Sequence, residues 1–454
     1  MIRHTNLREA LETGSITWGD VDRCIVPTVS TLLRFHDIVE RSAQPRAVLQ
    51  STEHRQLART AAVRSTVLLR NEPVNGTSLL PLDPDMFTSM ALGRLVTAVN
   101  LGDGGSSDVW ADEVVTIQAG IASALPNHDL TIVDGADLAE AGAAAASADV
   151  AVGVGGYTRP DEGAYLELDG TAHLASLFPG PDEPASSKGF EAYKAAHPPV
   201  AVPERIAGRD STGFTPGGDR SSLRLSDEDV ATIRAVAAAN PATVVVIQGG
   251  SAVVMAEWDR AVPAIVQVWY AGAEGGHAFA DVLLGVEEPG GRLPLSIPRH
   301  EDHLPSFDRD GERVTYSRYH GWWHLEREGH EAAYPFGFGL TYTTFEVGDP
   351  TVEGGGGTLM ATVTVRNTGS RPGRALVQLY AQRAGADVPR RLVGFARVNV
   401  GPGDRARANI EVSPVTLAER DLDRHEMVVR GGTYRLWAVQ HAGERSQPVE
   451  FVIP

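Results

Sequence analysis

Asp161, Glu162 and Gly163 stand a few residues past an apolar run at 150–154. A carboxylic acid at the carboxyl end of a buried strand, next to a glycine that lets backbone approach a ligand, is where α/β sheets place chemistry. Tyr165, Glu167 and Asp169 follow closely, so four carboxyl groups compete for any proton-transfer role, against the plainer reading of a solvated acidic loop. Asp219 and Arg220 lie at the far end of the same stretch, where an ion pair would anchor it or the two would contact a ligand. The histidine pairs His300/His303 and His320/His324 lack further ligands at metal-site spacing, so no metal is expected. The glycine-rich turn at 102–107 has neither the Lys-Ser/Thr of a phosphate loop nor a dinucleotide fingerprint, and no cofactor is expected. Trp322 and Trp323 are suited to stacking on a ligand or to pinning a connector.

The chain that must hold these residues has 454 positions, 42% apolar and 22% charged, enough for two or three soluble domains. Its formal charge of -18 repels phosphate backbones and anionic lipid, which disfavours nucleic acid and membrane partners and favours a neutral polar ligand. Cys24 is the one cysteine, and the first residues open no signal-like apolar run, so a cytoplasmic protein is expected. No stretch has the apolar length of a transmembrane helix.

Residues 1 to about 60 show helical periodicity in Leu7, Leu11, Ile16, Val21, Ile25, Val29, Leu32, Leu33 and Val39, with Asp20 placed as an N-cap. Two such helices alone bury little, so this segment requires a partner surface. Short β-branched runs at 65–71, 92–101, 130–133, 150–154, 243–247 and 264–268 alternate with helical patterns at 111–125 and 227–239. Ser226 and Asp229 form a capping box for the latter helix. That alternation predicts a mostly parallel sheet covered on both faces, with ligands at the carboxyl ends of its strands. Residues 163–217 carry no periodicity, and so long a stretch inside a domain is functional or disordered. Alternating runs at 359–365, 375–380, 392–400, 406–412 and 433–439, separated by turns such as Asn367-Thr368-Gly369, predict a β-sandwich.

The order of motifs is distinctive. Val244, Val245 and Val246 lead to Gly250-Ser251 and Trp258; then come Val268-Trp269-Tyr270-Ala271-Gly272, Glu274-Gly275-Gly276, Ala280-Asp281-Val282-Leu283 and Pro289-Gly290-Gly291-Arg292-Leu293-Pro294. This series resembles the C-terminal α/β sandwich domain of glycoside hydrolase family 3, the β-glucosidase and β-xylosidase family. Tyr334-Pro335-Phe336-Gly337, leading to Phe345, resembles the family's entry into its fibronectin type III-like domain. The resemblance implies an α/β sandwich with helices on both faces of a mostly parallel sheet, then an all-β fibronectin type III-like sandwich, with an N-terminal helical segment in front. The boundaries implied are 1–60 for the end of the family's barrel domain and its linker, 61–299 for the α/β sandwich, 300–333 for a connector and 334–454 for the β domain. Trp269 and Glu274 read as structural.

The resemblance further implies a retaining β-glycosidase, in which an aspartate nucleophile and a proton donor stand about 5–5.5 Å apart. Glu162 matches the position of the family's general acid/base, with Asp161, Tyr165, Asp219, Arg220 and Trp322 as candidate substrate contacts and Asp161, Glu167 and Asp169 as competing acids. Ala164 between Gly163 and Tyr165 departs from the family's local spacing. No barrel carrying the nucleophile is found in the sequence. The expected partners are therefore a separate (β/α)8 barrel subunit and a small β-glycoside. The alternatives are a non-catalytic sugar-binding or regulatory protein and a piece of a longer enzyme.

Overall fold

The computed structural model describes residues 4–42, 48–99, 101–102, 111, 113–157, 222–306, 313–354 and 359–454. They fall into two units, one formed by the described residues before position 55 and one by those from 55 onward.

The first unit consists mainly of helices α1 (His4–Glu12) and α2 (Trp18–Ser42). The start of α2 differs from the sequence expectation. Thr17 caps it and Asp20 lies inside its first turn. The Thr17 amide and hydroxyl donate to the Asp20 carboxylate at 2.7 and 2.6 Å, and the Asp20 amide donates back to the Thr17 hydroxyl at 3.3 Å. Such a reciprocal box satisfies amides that the helix itself cannot. Ile25, Leu32, Leu33 and Val39 of α2 are 51–72% exposed, an apolar row with no cover among the described residues.

Helix α3 (Thr52–Ser65) leads to β1 (Val67–Asn71), followed by β2 (Ser89–Arg94), α4 (Ile117–Ala124), β3 (Asp129–Val133), α5 (Leu138–Ser147) and β4 (Val150–Gly156). After the stretch 158–221 come α6 (Asp227–Ala239), β5 (Thr243–Gln248), β6 (Ala264–Gln267) and α7 (Gly275–Leu283). The six strands form one sheet in the order β1-β6-β5-β4-β2-β3, parallel except for β1, an antiparallel edge on β6. All six residues of β5 are buried, which a strand achieves only with both faces covered. Alternate side chains divide between two cores. Val244 and Val246 join Ile121, Phe279 and Leu283 of α4 and α7, whereas Val245 and Ile247 join Val230 and Ile233 of α6. Each such side chain contributes about 1.5–3 kcal/mol by leaving water.

Helices α4 and α7 meet backbone to backbone. A Cβ at Gly276 would lie 1.9 Å from the Thr116 carbonyl oxygen, so only glycine permits the approach. Helix α3 is fastened to α7 through ion pairs. Arg59 forks onto Asp281 with two 2.6 Å bonds, and Arg55 reaches buried Glu274 at 2.5 Å and also contacts Glu113.

Beyond Pro298 the chain runs through the pair β7 (Ile297–Pro298) and β8 (Ala332–Tyr334), with α8 (Trp322–Glu328) between them. The β-sandwich then packs two antiparallel sheets. In the first, β11 (Leu359–Asn367) pairs with β9 (Phe345–Val347) and β10 (Thr351–Glu353) on one edge and with β14 (Arg405–Val412) on the other. The second has the order β13-β12-β15-β16, from β12 (Gly373–Arg383), β13 (Arg391–Val400), β15 (Gly432–Val439) and β16 (Val449–Ile453). The expected turn after β11 is fixed by Asn367, fully buried, whose amide donates to the Arg371 and Val400 carbonyls while its oxygen accepts from Thr343 and Gly369. Sandwich and α/β layer are bonded to each other. Tyr342 donates to the Val282 carbonyl at 2.5 Å, and Gln378 donates to the carbonyl of Gly337, whose own amide donates to the Leu293 carbonyl at 2.8 Å.

Candidate active site

Strand order locates the site. From β2 the chain moves outward to β3, then returns to place β4 on the other side of β2 and continues to β5 and β6. The connections therefore reverse between β2 and β4. In doubly wound sheets the carboxyl ends of such a strand pair form a ligand crevice. β4, the strand that precedes the sequence-derived carboxyl groups in the chain, ends there.

The frame on either side of the stretch 158–221 in the chain is well defined. β4 ends in Gly156 at φ +139°, where a Cβ would lie 2.0 Å from the Gln248 carbonyl oxygen; glycine alone lets the β4–β5 pairing continue to this point. The Tyr157 amide then donates to that carbonyl at 3.1 Å. Buried Tyr157 donates its hydroxyl to the Arg224 carbonyl at 2.6 Å, tying the residue before the stretch to one just after it. The returning end is held from three further directions. Ser222 donates to Glu301 at 2.9 Å and the Leu223 amide also contacts that carboxylate, the Val254 amide donates to the Leu223 carbonyl at 2.8 Å, and Arg224 forks onto Glu257. The Arg224 bonds hold the Glu257 carboxyl below its ordinary range. The described residues on either side of the stretch are thus fastened to each other and to the α/β layer, as rigid scaffolds fasten the ends of functional loops.

Helix α6 starts immediately afterwards, and the expected capping contact is present: the Asp229 amide donates to the Ser226 hydroxyl at 3.1 Å. Asp229 itself is 4% exposed and receives a 2.5 Å bond from Arg94, the last residue of β2. Burial works against the Arg94 charge, yet the pairs with Asp229 and Glu228 raise its pKa. Arg94 thereby locks the end of β2 to the first turn of α6, across the switch point. No sequence signal marked it, because its partners lie 134 and 135 positions away and its left-handed backbone, φ +64°, is a property of the fold.

Asp161, Glu162, Tyr165, Glu167, Asp169, Asp219 and Arg220 lie outside the described residues. Trp322 is described, and its ring meets Phe336 in a stack at 6.2 Å and Tyr380 edge-on at 5.6 Å. The neighbouring Trp323 donates its indole N–H to the Arg390 carbonyl at 2.8 Å. Both tryptophans thus hold α8 on the β-sandwich. Trp269, past the end of β6, has φ +59° and donates its indole N–H to the Ser65 carbonyl at 3.0 Å. Glu274 is 4% exposed and bonded to Arg55 and to His277 Nδ1 at 2.7 Å, the structural role expected of it. Among the described residues no three His, Cys, Asp or Glu side chains are grouped to hold a metal ion.

Residues 66–342 match the glycosyl hydrolase family 3 C-terminal domain, and residues 375–442 match the fibronectin type III-like domain. A beta-glucosidase of Rhizobium radiobacter is 34% identical over 309 residues, covering 64% of this chain and 37% of that protein. A probable beta-glucosidase I of Aspergillus terreus is 40% identical over 224 residues, covering 46% of this chain and 27% of its own length. The chain therefore spans about a third of these relatives. The crystal structure of beta-glucosidase from Kluyveromyces marxianus superposes with a TM-score of 0.78 over 99% of this chain and 68% of that one, at 20% identity, a likeness of fold.

Proposed function

Because this chain belongs to glycosyl hydrolase family 3, with the family's C-terminal domain followed by a fibronectin type III-like domain, we propose that it supplies the proton donor of a retaining β-glycosidase. The nucleophilic aspartate would come from a separate (β/α)8 barrel subunit. The observation that supports this reading is that Tyr157 and Arg224, the described residues flanking the acid-bearing stretch in sequence, are bonded to each other, with Tyr157 directly after the strand at the switch point of the sheet. Glu162 is the residue assigned to proton transfer. In the first step the aspartate attacks the anomeric carbon while Glu162 protonates the departing glycosidic oxygen; in the second, the Glu162 carboxylate takes a proton from the water that releases the sugar. Asp161, Tyr165, Asp219 and Arg220 are proposed substrate contacts, whereas Trp322, packed on Phe336 and Tyr380, is assigned to holding α8; the substrate is a small β-glycoside. No metal or cofactor is required by this chemistry. The proposed setting is cytoplasmic, and the charge of -18 argues against nucleic acid or an anionic membrane as partner. Among the described residues no helix is long and apolar enough to cross a membrane.

The test is to assay a chromogenic β-glucoside with this chain alone and with a co-expressed barrel subunit. Turnover only in the complex is expected; comparable turnover by the lone chain would defeat the proposal. In the active complex, Glu162→Ala should lose far more rate on substrates with poor leaving groups than on those with good ones. Equal loss on both would move the role to Asp161, Glu167 or Asp169. The fraction of its relatives' length that the chain covers supports a second reading, in which the barrel precedes these domains on one longer polypeptide. Binding of the glycoside without turnover by any combination would favour a sugar-binding protein instead.

A further inference from the structure

Within the second unit a cleft of about 400 Å³ lies where the α/β layer meets the β-sandwich. In a chain with a large negative charge, this cleft gathers cations. Arg64 at the end of α3, Arg292 after the Gly290-Gly291 turn and Arg397 on β13 line it, and Arg374 on β12 is close enough to repel the last two. Arg64 and Arg397 are exposed at its mouth, while Arg292 and Arg374 are half-buried.

The cluster is short of counter-charge. Arg292 donates to the Gly291 carbonyl at 2.7 Å, and among the described residues no carboxylate pairs with Arg64, Arg374 or Arg397. Among the described residues Glu288 lies within its field; it accepts the Arg374 backbone amide at 3.0 Å, and burial raises its pKa. Burial, followed by repulsion from Arg397, brings Arg292 down to about 10. Partial burial, followed by repulsion from Arg374 and Arg64, likewise lowers Arg397. Crowded like charges at low dielectric favour any anion that can enter between them. The walls are apolar. Trp269, Phe336 and Phe395 contribute rings, and Phe395 is 65% exposed. Apolar walls with a few convergent charges, at a volume in the range of about 300–1,000 Å³, are the features of a small-molecule site.

We propose that this cleft binds an amphipathic organic anion, a carboxylate on an aromatic body, with the carboxylate between Arg292 and Arg397 and the ring against Phe395 and Trp269. The site is independent of the glycosidase reading and stands or falls separately from it. The experiment is calorimetric titration of the full chain with sodium trans-cinnamate, beside its neutral counterpart cinnamyl alcohol and inorganic phosphate. Saturable cinnamate binding at one per chain is expected, weakened by salt, with the alcohol and phosphate each at least about tenfold weaker. Arg397→Gln and Phe395→Ala should each reduce cinnamate affinity by about tenfold or more. Without ligand, Arg397→Gln should leave the thermal midpoint unchanged or higher, since it removes one of the crowded charges. Absence of saturable cinnamate binding, equal binding of the alcohol, or unchanged affinity in Arg397→Gln would overturn the proposal. Phosphate binding as tight as that of cinnamate would overturn its aromatic part. A lower midpoint for ligand-free Arg397→Gln would overturn the claim that the cluster lacks counter-charge.

Discussion

Single side chains decide how the α/β layer is clamped. Asp281 is 7% exposed and bonded twice by the Arg59 guanidinium, so Arg59→Ala would leave a buried carboxyl group without its partner. Breaking a buried pair costs about 3–5 kcal/mol, and the low end applies because Arg59 keeps about a third of its surface in water. Urea denaturation should show that loss, with part of it recovered by adding Asp281→Asn. Glu288 makes the opposite case. Burial, its largest influence, raises its folded pKa above the ordinary 4.5, so the folded state favours the protonated form. The stability this confers is complete below the unfolded value and is lost as pH rises through the folded one. Glu288→Gln should therefore be more stable than the natural protein near neutrality, with the gain vanishing at about pH 4; equal gains at both pH values in denaturant titrations would contradict this.

Elements differ in how plainly the sequence announces them. The β-branched runs of β4, β5 and β6 and the capping box of α6 were legible because burial on both faces and local capping leave marks within a few residues. The expected strand at 92–101 instead ends at Arg94, whose left-handed backbone turns the chain into a short 3-10 turn over Leu95–Thr97 with Val96 buried. The helix expected at 111–125 contracts to α4, capped by Thr116. Helix α5 left no periodic signal because its buried contacts are alanines, Ala141 and Ala145, and α7 was hidden behind the glycines at its start. The antiparallel direction of β1 and the partners of Arg94 depend on contacts far along the chain, which spacing does not encode. Of the proposed site, the acidic stretch and its position after a strand were legible; the anchors that hold its ends were not. The close crossing of α4 and α7 yields a paired test. Gly276→Ala must push Cβ into the Thr116 carbonyl, at a cost of about 1–3 kcal/mol or more. Gly142→Ala in α5 meets nothing within 4 Å and should stabilise by about 0.5–1 kcal/mol. Thermal midpoints moving in the same direction would contradict the packing described.

At the scale of the molecule, the apolar row of α2 is a surface that water disfavours, and exposed apolar patches of that kind mark interaction sites. Under the heteromeric reading, Leu32→Lys with Leu33→Lys should abolish recovery of the barrel subunit with the chain in sedimentation analysis, while the near-UV circular dichroism of the α/β and β-sandwich domains stays unchanged. Retained association would assign the contact to another surface. The bond from Tyr157 to the Arg224 carbonyl has a different consequence. A protease that nicks the backbone anywhere from 158 to 221 would yield two polypeptides with β4 on one and β5 on the other, zipped along the ladder from Ala151–Thr243 to Gly156–Gln248. Such a nicked protein should migrate whole on a native gel and come apart only in denaturant. By the same logic a lineage can lengthen, shorten or replace that insert without rewriting the scaffold that carries it.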